Sequence, residues 1–106
     1  MPKYLLTVSY TLEGARGLQK DGGTKRRKAA QTLVESVGGK LEAFYFAFGD
    51  CDVICIADMP DGVSAAAASV ALATSGAVSS RTTVLITPEE MDQAVKKSAS
   101  YTPPGR

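Results

Sequence analysis

One isolated arginine is the first candidate for a functional role in this 106-residue chain. Arg81 is the only basic residue between positions 41 and 95, a segment that also holds eight acidic residues. A guanidinium presents a planar fork of donors that matches a carboxylate or a phosphate. Two interpretations are open for Arg81. It grips an anionic ligand in a pocket between the predicted sheet and helices, or it forms a weak surface salt bridge with Asp50, Asp52 or Asp58.

Three tyrosines complete the candidate ligand-binding set with Arg81. Tyr4, Tyr10 and Tyr45 all lie in segments that the residue pattern predicts to be strands. A tyrosine on a half-buried strand belongs either to the core or subunit interface, with its hydroxyl hydrogen-bonded, or to a pocket lining. In a pocket, such side chains orient an apolar, oxygenated ligand.

A basic run, Lys25-Arg26-Arg27-Lys28, opens a predicted helix. Residues 14–40 carry a net charge of +5 and residues 41–95 a net charge of −7. The run is interpreted as a solvated face, as a contact with acidic loops of another subunit or partner, or as an anion site at a helix N-terminus. Nucleic acid is not an expected partner, because the total charge is +1 and no aromatic residue interrupts the run.

The composition excludes several catalytic classes. The chain has no histidine, which removes Ser-His-Asp and Cys-His catalysis and histidine-ligated zinc or haem. Its two cysteines are too few for a cysteine-only zinc site, so neither a metal nor a cofactor is expected. Cys51 and Cys55 lie about 13 Å apart along an extended strand, too far for a disulfide. We expect Cys55 in the core and Cys51 at a more exposed turn.

Length and hydropathy predict one soluble domain. The chain is 44% hydrophobic and 22% charged, as ordinary globular domains are. No apolar run approaches the roughly 20 residues of a membrane span. No signal-peptide core follows Met1-Pro2-Lys3. We therefore expect a cytoplasmic protein that does not bind membranes.

Periodicity and capping signals place these residues on secondary-structure elements. The predicted strands are 3–11, 40–48, 52–58 and 78–87. On the second strand, Phe44, Phe46 and Phe48 share one side, and Leu41, Ala43, Tyr45 and Ala47 the other. The predicted helices are a short turn at 12–20 weakened by Gly14 and Gly17, 24–37 with Thr24 as N-cap, 63–75, and a last helix capped by Thr87, Pro88 and Glu90.

The element order β-α-β-β-α-β predicts a ferredoxin-like α+β fold with an extra C-terminal helix. Right-handed crossovers place both crossover helices on one face of a four-stranded antiparallel sheet. The other face stays bare and carries apolar residues, so we expect two sheets to pair face to face in a homodimer or a larger oligomer. Residues 1–97 form the domain, and residues 98–106 form a flexible tail.

A series of landmark residues is spread along the chain in a characteristic order and spacing. They are Thr11, Gly14, Glu35-x-x-Gly38-Gly39-Lys40-Leu41, Ala43-Phe44-Tyr45, Gly49-x-x-Asp52-Val53, Pro60-Asp61 and Arg81-Thr82-Thr83. Together they resemble those of the GYD domain family, small proteins of the dimeric α/β-barrel type, over about residues 4–91. Cys51 stands where the name-giving motif usually has tyrosine, which alters any ligand site built on that tyrosine. The resemblance implies the fold and oligomerisation but no activity.

Three functions are compatible with these observations. The first is a homo-oligomeric binding protein for a small anionic or aromatic metabolite, with Arg81 in its site. The second, by fold analogy alone, is a small cofactor-independent enzyme such as an isomerase or monooxygenase, for which the sequence identifies no catalytic residue. The third is an interaction module that docks through residues 98–106.

Overall fold

The computed structural model describes residues 1–106 and contains four strands and four helices. In chain order they are β1 (Lys3–Tyr10), α1 (Leu12–Asp21), α2 (Gly23–Ser36), β2 (Lys40–Phe46), β3 (Val53–Asp58), α3 (Gly62–Thr74), β4 (Val78–Leu85) and α4 (Pro88–Lys96).

The strands form one sheet in the order β2-β3-β1-β4, with every neighbouring pair antiparallel. Helices α2 and α3 are the crossover connections, and both pack on the same face of the sheet. This topology confirms the predicted ferredoxin-like α+β arrangement, and α4 is the predicted extra C-terminal helix. No helix is both long and apolar enough to cross a lipid bilayer.

The core lies between this face of the sheet and the helices. The alternation of β1 turns Tyr4, Leu6 and Val8 inward, where they are buried. Val34 from α2 packs in one cluster with Tyr4 and Leu6. The other buried residues of the core are Val53, Cys55, Ala57, Met59, Ala65 and Ala68. The buried residues of α3 are both alanines. Because their side chains are short, this helix can pack close to the sheet.

Strand β2 departs from the predicted alternation. Its register with β3 shifts between Leu41 and Ala43, where Leu41 pairs with Ala57 and Ala43 with Ile56. A β-bulge adds one residue to a strand and moves the preceding side chain to the opposite face. Leu41 therefore joins Phe44 against the core, and the prediction that it shares a face with Ala43 is wrong.

The first two helices also begin differently from the prediction. Leu12–Asp21 is a full ten-residue helix rather than a short turn. Thr24 is not the N-cap of the next helix, because α2 already begins at Gly23 and Gly22 is its cap. Gly22 has φ +80°, a left-handed conformation that glycine adopts readily, and it separates α1 from α2 without a side-chain cap. The predicted Thr87–Glu90 capping box of α4 is confirmed.

Gly14 allows α1 to approach the start of β4 very closely. Thr11 begins the contact, because its N–H donates to the Ala77 carbonyl at 2.9 Å and its hydroxyl to the Gly76 carbonyl at 3.0 Å. The Thr11 hydroxyl also accepts from the Gly14 N–H at 3.1 Å. A Cβ atom at position 14 would overlap the Ala77 carbonyl oxygen. Only glycine fits there.

The other side of the sheet is not covered by α1, α2 or α3. We call it the open face. It is apolar at its centre, where Tyr45 is 70% exposed, and polar toward both ends, one of which carries the Lys3–Asp58 ion pair. By strand register, its residues include Lys3, Leu5, Thr7, Ser9, Ala43, Tyr45, Ile54, Ile56, Asp58, Ser79, Arg81, Thr83 and Leu85.

Candidate functional site

The four candidate ligand-binding residues lie on opposite faces of the sheet. Tyr4 and Tyr10 alternate with Leu5 and face the helices, whereas Tyr45 and Arg81 lie on the open face. They therefore do not line a single pocket. Tyr4 is buried in the core, which leaves Tyr10 as the tyrosine of the set that reaches a cavity beneath the helices.

Tyr10 separates two cavities on the helix-covered face. The larger, which we call the Tyr10 cleft, has a volume of about 550 Å³ and opens to solvent between α1, the start of α2 and the end of β2. The smaller, the inner cavity, has a volume of about 140 Å³ and lies between the sheet and the two crossover helices. The cleft is lined by Tyr10, Ala15, Leu18, Gly22, Gly23, Phe46, Ala47, Phe48 and Asp52.

The inner cavity is apolar except for Tyr10 and Arg26. Partial burial raises the pKa of Tyr10. The neighbouring Arg26 guanidinium favours the phenolate and so offsets part of this rise in pKa. Because the net direction is upward from an ordinary value near 10, the phenol is protonated at neutral pH. It is therefore a hydrogen-bond donor beside a cation.

Arg26 is anchored by an acidic neighbour but is not enclosed by it. Its Nη1 donates to Asp21 Oδ2 at 3.3 Å, and its side chain is 38% exposed. Lys25 Nζ shares the same carboxylate at 3.6 Å from Oδ1. Asp21 thus holds the guanidinium near the cavities, and the remaining guanidinium donors are available for another acceptor.

Asp52 fixes the strand end that carries Tyr10. Its Oδ2 accepts from the Tyr10 N–H at 2.8 Å, and its own N–H donates to the Val8 carbonyl at 2.8 Å. The Ala47 N–H donates to the Asp52 carbonyl at 2.8 Å. This aspartate, a landmark of the GYD resemblance, therefore ties β1 to the turn between β2 and β3 and closes one side of the cleft.

The basic run does not act as a unit. Arg26 faces the inner cavity, Arg27 lies near Phe44 at the β2 edge, and Lys28 is exposed without an ion pair. Helical geometry explains the division, since successive residues point about 100° apart. The run of four basic residues in the sequence gives no indication that Arg26 lies beside Tyr10.

A signal for Arg26 was nevertheless present in the sequence. Arg26 precedes Ala30, Leu33, Val34 and Val37 at intervals of four, seven, eight and eleven residues. These intervals belong to one helical face. Arg26 therefore extends the apolar side of α2 that packs on the sheet, and this position distinguishes it from its three basic neighbours.

Arg81 lies in a polar depression on the open face. The depression has a volume of about 560 Å³, and its lining includes the side chains of Thr7, Ser9 and Ser79. Arg81 therefore does not lie in the expected pocket between the sheet and the helices. The predicted salt bridge is also absent, because none of the ion pairs in the structure involves Arg81. Its guanidinium is available to an anion or to another chain.

The two cysteines have different environments, as expected from the sequence. Both are free; Cys55 is buried and Cys51 is half-buried. Burial raises the pKa of the Cys55 thiol to about 11. At pH 8, about one Cys55 in a thousand is therefore a thiolate, the form that reacts.

We expect dithiobis(nitrobenzoate) at pH 8 to modify Cys51 of the native chain before Cys55, which should react only after denaturation. Cys51→Ser should remove the earlier phase and leave the later one. Rapid release of two equivalents from the native protein would contradict the placement of Cys55 in the core.

Comparison with known proteins identifies a family. A family model described as GYD domain matches residues 4–95, which include the whole sheet except Lys3 and all of α4 except Lys96. No curated protein matches the chain, and no solved structure matches it.

Proposed function

The chain belongs to the GYD domain family, and we propose that this member is a homo-oligomeric protein that binds a small aromatic or apolar molecule carrying an anionic group. One observation carries the proposal: two apolar cavities adjoin at Tyr10, and the guanidinium of Arg26 lies beside that residue.

The Tyr10 cleft has the character of a small-molecule site. Such sites measure roughly 300–1,000 Å³ and combine apolar walls with a few polar groups that fix orientation; the cleft, at about 550 Å³, falls in this range. Leu18, Phe46 and Phe48 supply apolar wall. An aromatic ring stacked against these side chains would lose contact with water at little polar cost.

The polar end of this site favours an anion. Arg26 offers a charged donor and Tyr10 a neutral hydroxyl donor, and hydrogen bonds to an ionised acceptor are stronger than neutral ones. A carboxylate, sulfonate or phosphate on the ligand would share Arg26 with Asp21. The proposed ligand thus places its apolar body in the cleft and its anionic group at the Tyr10–Arg26 pair.

We also propose that two copies pair through their open faces, which is the basis for calling the protein homo-oligomeric. The apolar centre formed by Leu5, Tyr45 and Ile54 supports this pairing, because monomeric proteins seldom leave such a patch uncovered. Pairing would enclose the depression around Arg81 and make that guanidinium a second contact for an anion or for the facing copy. A cytoplasmic location remains part of the proposal.

Binding is better supported than catalysis. A cofactor-independent enzyme on this fold needs an acid or a base in the cavity. Asp52 lines the cleft, but its Oδ2 accepts from the Tyr10 backbone N–H, which leaves the phenol of Tyr10. Its raised pKa suits hydrogen-bond donation and disfavours proton abstraction at neutral pH. We therefore assign Tyr10 to ligand orientation.

An NMR titration with the anionic fluorophore anilinonaphthalene sulfonate tests the proposed site. Saturable shifts are expected at the amides of Tyr10, Gly22, Gly23 and Ala47, which line the cleft. Uncharged anilinonaphthalene is the matched control and should bind at least about tenfold more weakly, since it lacks the group that Arg26 and Tyr10 bind. Shifts confined to the open face, or equal affinity for both compounds, would overturn the assignment.

A further inference from the structure

Helix α4 is fully formed but lies outside the body of the domain. All of its residues are exposed, and it makes no extensive contact with any other helix or strand. The chain is correspondingly long, with a longest dimension of 56 Å and a radius of gyration of 16.8 Å. A compact domain of this length has a radius of gyration of about 13 Å.

An isolated helix of this length is not stable in water. Helices shorter than about 12–15 residues are marginal even when every residue favours helix, and α4 has nine residues. Its capping box secures only the first turn. Its apolar residues are grouped on one side, with Ala94 between Met91, 48% exposed, and Val95, 74% exposed. This side requires a partner surface.

Helix α3 presents an unpartnered apolar face in every copy of the chain. Its inner side, through Ala65 and Ala68, packs in the core. Its outer side carries Val63, which is 81% exposed, and Val70, which is 61% exposed. Exposed alanines on the same side of the helix extend this apolar surface. The helix contains no charged residue. We call this the outer face of α3; its residues are Val63, Ala66, Ala67, Val70 and Ala71.

The two apolar surfaces do not meet within one chain. Only Ile86 and Thr87 separate β4 from α4, and Thr87 is extended, with φ −76° and ψ 160°. Because both surfaces are exposed and α4 makes no extensive contact with α3, α4 does not pack over the α3 of its own chain.

The exposed area points to a second copy as the cover. The chain exposes 7567 Å², whereas a folded monomer of 11.1 kDa exposes about 5,700 Å². The excess is roughly 1,900 Å² per copy. Obligate homodimers bury about 2,000–5,000 Å² in total, or about 1,000–2,500 Å² per copy. The excess, to which the exposed residues after α4 also contribute, falls within the range that one copy loses in a stable homodimer.

We propose that α4 is an exchange arm: its Met91–Val95 side packs on the outer face of α3 in a second copy of this chain. The alanines of α3 permit close approach of the two helix axes. The charged residues of α4, among them Glu89 and Lys96, remain in solvent on its other side, and α3 presents no charge that opposes docking. The contact is independent of the ligand site and of which ligand occupies it.

The first test is the mass of the assembly in sedimentation velocity at micromolar concentration. Met91→Ser with Val95→Ser should weaken the α4–α3 contact at least tenfold and so lower the mass of the assembly, to that of the open-face dimer or of single chains. Gln93→Ser with Lys96→Ser also changes two residues of this helix, on its polar side, and should assemble like the wild-type chain. A monomeric wild-type chain, or equal assembly of both variants, would overturn the proposal.

The second test asks whether the contact joins two chains. In a Cys51→Ser background, chains with Val70→Cys and chains with Met91→Cys are mixed and oxidised. The proposal expects a disulfide-linked pair of one chain of each kind. In a chain that carries both substitutions, a disulfide closed within that single chain would show that α4 folds back on its own α3 and would overturn the exchange. Absence of cross-linking in the mixture would overturn it as well.

Discussion

Gly14→Ala should destabilise the domain by more than about 3 kcal/mol, because the new methyl group would occupy the position of the Ala77 carbonyl oxygen. The clash is with backbone that is itself held by Thr11, so no side chain can rotate away to relieve it. In thermal unfolding, we expect the midpoint to fall by at least about 12 °C, at roughly 4 °C for each kcal/mol in a domain of this size.

Gly17→Ala is the matched control. Gly17 lies on the same helix, and a Cβ atom there would meet no atom within 4 Å. Alanine favours helix over glycine by up to about 1 kcal/mol, so this variant should be as stable as the wild type or more stable. A Gly14→Ala midpoint within a few degrees of that of Gly17→Ala would show that α1 does not approach residues 76–77 as closely as described.

Arg26→Gln should weaken the binding of anilinonaphthalene sulfonate by about 10–100-fold, because a hydrogen bond between charged groups contributes roughly 1.5–3 kcal/mol. Glutamine keeps a polar side chain but removes the charge beside Tyr10. Fluorescence titration at fixed ionic strength measures the change in affinity.

Lys28→Gln controls for net charge. It removes one positive charge two residues away, on an exposed side chain that lines neither the cleft nor the inner cavity. Binding should change by less than about threefold, since surface charges are screened by salt. Equal weakening by both substitutions would mean that the probe responds to the field of the whole basic run and not to a site at Arg26.

The fold was predictable because its signals are local. The alternation of β1, the glycines after α2 and the Thr87-Pro88-x-Glu90 cap all act within a few residues, and the order of elements then restricts the topology. The bulge near Leu41 was not predictable, because a single inserted residue leaves the strand pattern intact on either side.

The role of Gly14 was also not predictable from the sequence. In the sequence it is a glycine that weakens a helix, whereas in the structure it is required by a carbonyl from a distant segment. The candidate site was missed for a related reason. Tyr10 and Arg26 come together only when α2 lies on the sheet, and strand alternation alone could not pair Tyr10 with a helix residue.

The landmarks of the GYD family prove to be mainly structural in this chain. Thr11 and Gly14 dock α1, and Asp52 holds the end of β1. A Cβ atom at Gly39 would lie 2.5 Å from the Asp58 carbonyl oxygen, so this landmark also permits a close backbone approach. Such residues explain why family membership establishes the fold and does not by itself identify a function.

Native mass spectrometry of the protein purified from a cell extract tests the central claim most directly, that this domain is a homo-oligomer which binds a small anionic aromatic or apolar molecule. The account predicts a mass of two chains of 11.1 kDa, or a multiple of two, together with a retained small molecule or ready uptake of added anilinonaphthalene sulfonate. A single chain, or an oligomer that neither carries nor takes up such a molecule, would contradict it.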